Sequence, residues 1–144
     1  MKYTCEILID LPRDHVLQHF ENLEAMSKWQ TGFISLEHVS GEPGQQGAVS
    51  TLRYEMNGRK IEMTETITSR NLPDEMSMTY EAKGVVNYIR NLFSEAGGQT
   101  RWVAENEFQL SGFMAVMGFF GKGQFIKQTQ NDMERFKVYA EGEG

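Results

Sequence analysis

The residue in this chain best placed to do chemistry is Glu65, an acid on a predicted strand with apolar neighbours. Residues two apart in a strand share one face, so Glu65 shares its face with Ile61, Met63 and Ile67. A carboxylate among apolar side chains loses hydration, which raises its pKa or requires a partner. We therefore interpret Glu65 as the candidate residue for ligand contact or for acid–base catalysis.

The sequence leaves two other interpretations of Glu65 open. In one it lies at the open end of the sheet, and in the other it pairs with a buried arginine such as Arg90. If Glu65 faces a ligand, the side chains predicted to supply hydrogen bonds beside it are Tyr54, Tyr80 and Asn106.

No other constellation in the sequence indicates a catalytic or metal centre. His15 and His19 are four residues apart on a predicted helix, but the segment between them lacks the glutamate of the His-Glu-x-x-His motif and no third ligand is near. Cys5 alternates as a strand residue, and no serine can be joined to a histidine in a nucleophilic triad. We predict neither a metal nor a cofactor.

A glycine-rich segment, 118–123, is superficially similar to a phosphate-binding loop. It lacks the Walker spacing and the Ser or Thr after its lysine, and it lies in a helical context. We predict instead a flexible lid over a cavity mouth, with Met117 and Phe120 as movable apolar cover. A plain loop before a shorter helix is the alternative.

Composition and charge exclude several classes of protein. The 144 residues carry a net charge of -6, and the longest basic cluster is 58–60, so the electrostatic footprint of a nucleic-acid binder is missing. No stretch approaches 18 apolar residues, and the charged, alternating start is unlike a signal peptide. With a single cysteine, these features predict a cytoplasmic protein without a membrane span.

The order of predicted elements indicates one α+β domain over residues 1–144. A strand at 3–11 precedes two short helices, which begin at Pro12 and end near Trp29. Strands with a period of two follow at 33–40, 48–56, 59–69, 76–83, 85–93 and 101–110. Asn57-Gly58 predicts a tight hairpin because both positions tolerate positive φ. A long helix then begins at 113, with a joint at its glycines and a frayed tail at 140–144.

Strand alternation also predicts which side chains face the interior. The inward-facing set contains Leu52, Tyr54, Met56, Met63, Glu65, Met78, Tyr80, Trp102, Asn106 and Phe108, and these are the candidate ligand-binding residues together with Met117 and Phe120 of the predicted lid. Segment 85–93 has no clean alternation, because Val86, Tyr88, Arg90 and Leu92 compete with Val85, Ile89 and Phe93. Its inner face is not assigned by the sequence.

Four local patterns are notable in this order of elements: the strand-to-helix entry at 9–16, Trp29 after the second helix, the strand and glycine loop at 36–47, and the final helix at 133–137. Together they resemble the START-like superfamily, also called SRPBCC or the birch-pollen-allergen fold. The resemblance implies a helix-grip fold, in which a curved seven-stranded antiparallel sheet wraps around the C-terminal helix. It also implies a cavity between them for lipids, hormones, aromatic polyketides or other hydrophobic molecules.

Three functions fit this resemblance. We favour binding or carrying a small hydrophobic molecule, since the predicted inner faces are rich in Met and aromatic residues and no catalytic motif is found. A polyketide cyclase or dehydratase that uses Glu65 is the first alternative, and a co-chaperone-like protein-interaction domain is the second. The sequence does not fix the oligomeric state, and a homodimer is compatible with it.

Overall fold

In this computed structural model the described residues, 1–143, form seven strands and three α-helices, and the side chains of α3 are described from Lys122 onward. The strands are β1 Lys2–Ile9, β2 Phe33–Ser40, β3 Val49–Met56, β4 Arg59–Asn71, β5 Glu75–Ala82, β6 Val85–Ala96 and β7 Gln99–Leu110. The helices are α1 Arg13–Phe20, α2 Met26–Trp29 and α3 Phe113–Glu143, and a 3₁₀ turn, Leu23–Ala25, precedes α2.

All seven strands belong to one antiparallel sheet, in the order β1-β7-β6-β5-β4-β3-β2. Asn57 and Gly58 have φ of 52° and 76°, which confirms the tight hairpin predicted between β3 and β4. Register shifts in β2 and between Ile67 and Ser69 of β4 mark bulges, which bend strands. The sheet is therefore curved, and α3 lies in its concave side: the predicted helix-grip fold is confirmed.

The first helix begins where the sequence places it, with one difference at Pro12. Pro12 has an extended backbone, with ψ of 153°, and caps the helix, so Arg13 is the first helical residue. Asp14 lies in the first turn, where the helix dipole favours a negative charge. Val16 and Leu17 are buried and attach α1 to the core.

An aromatic cluster joins the helices to the sheet. The ring of Phe136 on α3 is fully buried and contacts Trp29 and Trp102 edge to face, with ring centroids 5.1 and 5.2 Å apart. Phe20 of α1 packs against the same rings and against Phe93 of β6. Such pairs add to the free energy gained from burial, so this cluster fixes α3 over one end of the sheet.

Polar contacts hold α3 along the β1 edge. The Tyr3 hydroxyl and Thr129 Oγ1 are 2.8 Å apart, and Lys137 Nζ donates to the carbonyl oxygen of Leu8 at 2.8 Å. Ala140 is fully buried and helical, so the predicted frayed tail is wrong there. The helix assignment also continues through the three glycines, while the lid prediction for Met117 and Phe120 falls on side chains outside the described ones.

Candidate functional site

The concave face of the sheet and α3 enclose a cavity of about 760 Å³. Its wall is built mainly from aliphatic, Met and aromatic side chains of β3 to β7, and α3 covers it with residues between Phe125 and Met133. Because inward side chains alternate with outward ones along each strand, every second residue of these strands contributes to the wall. The volume is typical of small-molecule sites in proteins.

Most of the predicted wall residues with described side chains do line this cavity. They are Tyr54, Met56, Met63, Glu65, Met78, Tyr80, Trp102, Asn106 and Phe108. Contact of a ligand with any of them remains a prediction.

Three residues predicted to line or cover the cavity are not among those nine. Leu52 is fully buried in a cluster with Met26 and Tyr54 and does not line the cavity. The strand period gives a side chain's face, whereas neighbouring side chains decide if it reaches the cavity surface. Met117 and Phe120 lie outside the described side chains.

Glu65 lies in the middle of the sheet, paired with Ser50 of β3 on one side and with Tyr80 of β5 on the other. It lines the cavity and is half-buried. Burial raises the pKa of the Glu65 carboxyl, and a hydrogen bond with Tyr80 opposes this shift in part. The raised pKa favours the protonated carboxyl, which can donate a hydrogen bond as well as accept one.

Neither alternative interpretation of Glu65 fits its position. The ladder pairs of Glu65 on both sides place it inside the sheet and not at an open end. Arg90 is exposed and pairs with Glu105 at 3.4 Å, so it is not the buried partner that the sequence allowed. Arg90 alternates with the inward residues of β6 and therefore points to the opposite face.

Two tyrosines border Glu65, and both are held in the neutral form. Burial and then the charge of Glu65 raise the pKa of Tyr54 and that of Tyr80. The Tyr54 hydroxyl donates to Gln30 Oε1 at 2.5 Å, which ties β3 to the residue that follows α2. The Tyr54 hydrogen is therefore engaged by Gln30, and Tyr54 can offer a bound molecule only its hydroxyl oxygen as an acceptor, whereas a neutral Tyr80 retains one O–H donor on the cavity wall.

The structure assigns the inner face of β6, which the sequence left open. Val85, Asn87, Ile89 and Asn91 line the cavity. Two asparagines interrupt the apolar period, and this is why alternation alone gave no answer. The signal that could have found them is the pairing of β6 with β7, whose inner face was predicted correctly from Trp102 to Phe108.

Both asparagines are engaged by side chains of β7. Asn91 Oδ1 accepts from Trp102 Nε1 at 2.9 Å, and this pair is buried at one end of the cavity. Asn87 Nδ2 donates to Asn106 Oδ1 at 3.3 Å. Asn106, predicted as a polar intruder, thus has a partner within the wall and is not an isolated polar group.

A metal centre has no support among the described residues, which contain no group of three or more His, Cys, Asp or Glu that could hold an ion. His19 Nδ1 lies 3.3 Å from the Tyr139 hydroxyl, so this histidine contacts α3. Within the described part of the chain, no helix is long and apolar enough to cross a membrane.

Fold and site together define a helix-grip domain with an internal, mainly apolar cavity. Residues 1–141 match the family described as polyketide cyclase/dehydrase and lipid transport, and the chain belongs to this family. The resemblance to the START-like superfamily drawn from the sequence is therefore confirmed. Curated proteins provide no match to this sequence.

Several solved structures share the fold at low sequence identity. Zhui aromatase/cyclase from Streptomyces sp. R1128 has a TM-score of 0.78 at 11% identity, covering 98% of this chain and 93% of that one. Ara h 8.0201 has a TM-score of 0.77 at 14% identity, with 99% and 98% covered. A conserved protein from Geobacillus kaustophilus has a TM-score of 0.80 at 14% identity, with 99% and 96% covered.

Proposed function

We propose that this protein binds or carries a small hydrophobic molecule, lipid-like or aromatic, between its sheet and α3. The observation that supports this most directly is the cavity of about 760 Å³ with a mainly apolar wall. An apolar molecule of matching size would make packing contacts with this wall over most of its surface. The family, which includes lipid transport, is consistent with this proposal.

Native mass spectrometry of the purified protein, with displacement of the uncharged dye Nile red, tests the proposal. We expect a bound small molecule that denaturation releases, or a dye signal that apolar competitors reduce. Absence of both, in a protein that unfolds cooperatively, would contradict it.

A second candidate is an enzyme of the polyketide cyclase or dehydratase kind. The observation that favours it is Glu65, an acid with raised pKa that faces the cavity beside Tyr80. Such a carboxyl is suited to exchange a proton with a bound substrate. Turnover of a polyketide substrate should fall at least about a hundredfold in Glu65→Gln, in line with loss of a general acid or base. Unchanged turnover would remove Glu65 from this role.

Three further expectations concern protein partners, location and oligomeric state. A filled interior together with an exposed apolar patch would favour the protein-interaction alternative, and a cavity of about 760 Å³ is not a filled interior. We retain the cytoplasm as the proposed location, on the basis of the single cysteine, Cys5, which is buried and free. A homodimer remains compatible with the sequence.

A further inference from the structure

A polar band crosses the floor of the cavity. Ser50, Glu65, Tyr80 and Asn87 are cross-strand partners in successive pairs from β3 to β6. All four line the cavity. The band is therefore one continuous row of hydroxyl, carboxyl and amide groups, one from each strand.

Apolar side chains lie on both sides of this band. Towards the β3–β4 hairpin the cavity wall contains the apolar side chains of Met56, Ile61, Met63, Ala82 and Val85, together with Tyr54, whose hydroxyl donates to Gln30. Towards α1 it contains the apolar side chains of Ala48, Ile67, Met76, Met78 and Ile89, together with Asn91, which accepts from Trp102 Nε1. The register of the strands fixes which side of the band each residue occupies. On every strand, the residues named lie at least two positions from the residue that belongs to the band.

The band is suited to an uncharged oxygen group. Glu65 is in none of the ion pairs among the described residues. The cations that line the cavity are Arg59, Lys60 and Lys83, which are exposed and lie next to the β3–β4 and β5–β6 turns at one end of the cavity. A carboxylate at the band would meet another acid without a compensating cation. A carbonyl or hydroxyl oxygen can instead accept from the Tyr80 hydroxyl or from a protonated Glu65.

We propose that the ligand carries an uncharged oxygen group near its middle, flanked by an apolar part on each side. A lipid with a single terminal head group would leave either the band or one of the two apolar regions without a matching partner. Because polar groups shielded from water need hydrogen bonds, this mismatch favours a central group over a terminal one. The inference rests on the proposed binding function and specifies the class of molecule bound.

Two isomeric ketones, dodecan-6-one and dodecan-2-one, test this inference in competition with Nile red. They have the same formula and differ in the position of the carbonyl. We expect dodecan-6-one to bind about fivefold more tightly, a ratio that corresponds to one buried hydrogen bond. The preference should disappear in the double variant Glu65→Leu/Tyr80→Phe and persist in Glu81→Leu, which changes an exposed glutamate on the outer face of β5.

The outcomes separate the two proposals. Three outcomes in which the dye still binds would overturn the central-group inference and leave the binding function standing. The protein could bind both ketones with equal affinity, bind dodecan-2-one more tightly, or release no dye to either ketone. A preference that survives in the double variant would overturn the role of the band. Failure of the dye itself to bind would overturn the binding function and, with it, the inference.

Discussion

Glu65 on β4 lies directly opposite Tyr80 on β5, and both side chains face the cavity. The two side chains affect each other in opposite directions: burial raises the pKa of Glu65 and the hydrogen bond with Tyr80 lowers it in part, whereas burial and then the Glu65 charge raise the pKa of Tyr80. This pair is the polar centre of a cavity whose wall is otherwise mainly apolar.

Ionisation of Glu65 should destabilise the fold. Its folded pKa is raised above the ordinary value of 4.5, so its contribution to stability is complete below that value and is lost as pH rises through the folded pKa. We expect Glu65→Gln, which mimics the protonated acid, to have a higher free energy of unfolding than the parent at pH 8. The gain should shrink towards zero as pH falls below about 4.5.

Urea unfolding across this pH range measures the effect. Glu81→Gln removes the same charge from the exposed face of β5 and serves as the control. A Glu65→Gln variant that is less stable than the parent at pH 8 would contradict the assignment.

Phe136 should be among the most important side chains for stability. It is fully buried and contacts the rings of Trp29, Trp102 and Phe20. Phe136→Ala should lower the free energy of unfolding by about 3–5 kcal/mol, the usual result of emptying an aromatic site in a core. Val138→Ala, at a position 74% exposed on the same helix, should change it by less than about 0.5 kcal/mol. Similar losses in the two variants would contradict the described packing of α3.

Replacement of Asn91 should lower the free energy of unfolding, because the indole N–H of Trp102 loses its hydrogen-bond acceptor. Asn91 is 1% exposed and accepts the hydrogen bond of Trp102 Nε1. Asn91→Ala leaves that N–H without a protein partner, and we expect a loss of about 1–3 kcal/mol in urea unfolding together with a change in tryptophan fluorescence.

Asn87→Ala provides the comparison on the same face of β6. Asn87 is half-buried and its hydrogen bond to Asn106 is long, at 3.3 Å, so its loss should be smaller. Equal losses of unfolding free energy in Asn91→Ala and Asn87→Ala would contradict the prediction that the Trp102 hydrogen bond contributes more to stability.

Sequence reasoning predicted the fold well because its strongest signals are local. Asn57-Gly58 required a tight turn, and the change from a period of two to a helical period marked the start of α3. The tail was predicted wrongly because the burial of Ala140 depends on contacts with distant parts of the chain, which residues 140–144 do not display in their own sequence.

The candidate site was predicted only in part, for the same physical reason. Alternation placed Glu65, Tyr80 and Trp102 on the inner face correctly, since a strand's period fixes orientation. It did not show that Asn87 extends the polar band, because that depends on the register between strands. Nor did it show that Leu52 stops short of the cavity, because that depends on side-chain packing.

The most direct test of the account is Nile red binding to a protein whose cavity has been filled. Met63 lines the cavity, whereas Thr64, the next residue of β4, is exposed on the outer face. Met63→Trp should weaken dye binding by at least about tenfold, since the larger ring occupies the ligand's space, and Thr64→Trp should leave it unchanged. Equal dye affinity in both folded variants would contradict the claim that the ligand binds between the sheet and α3.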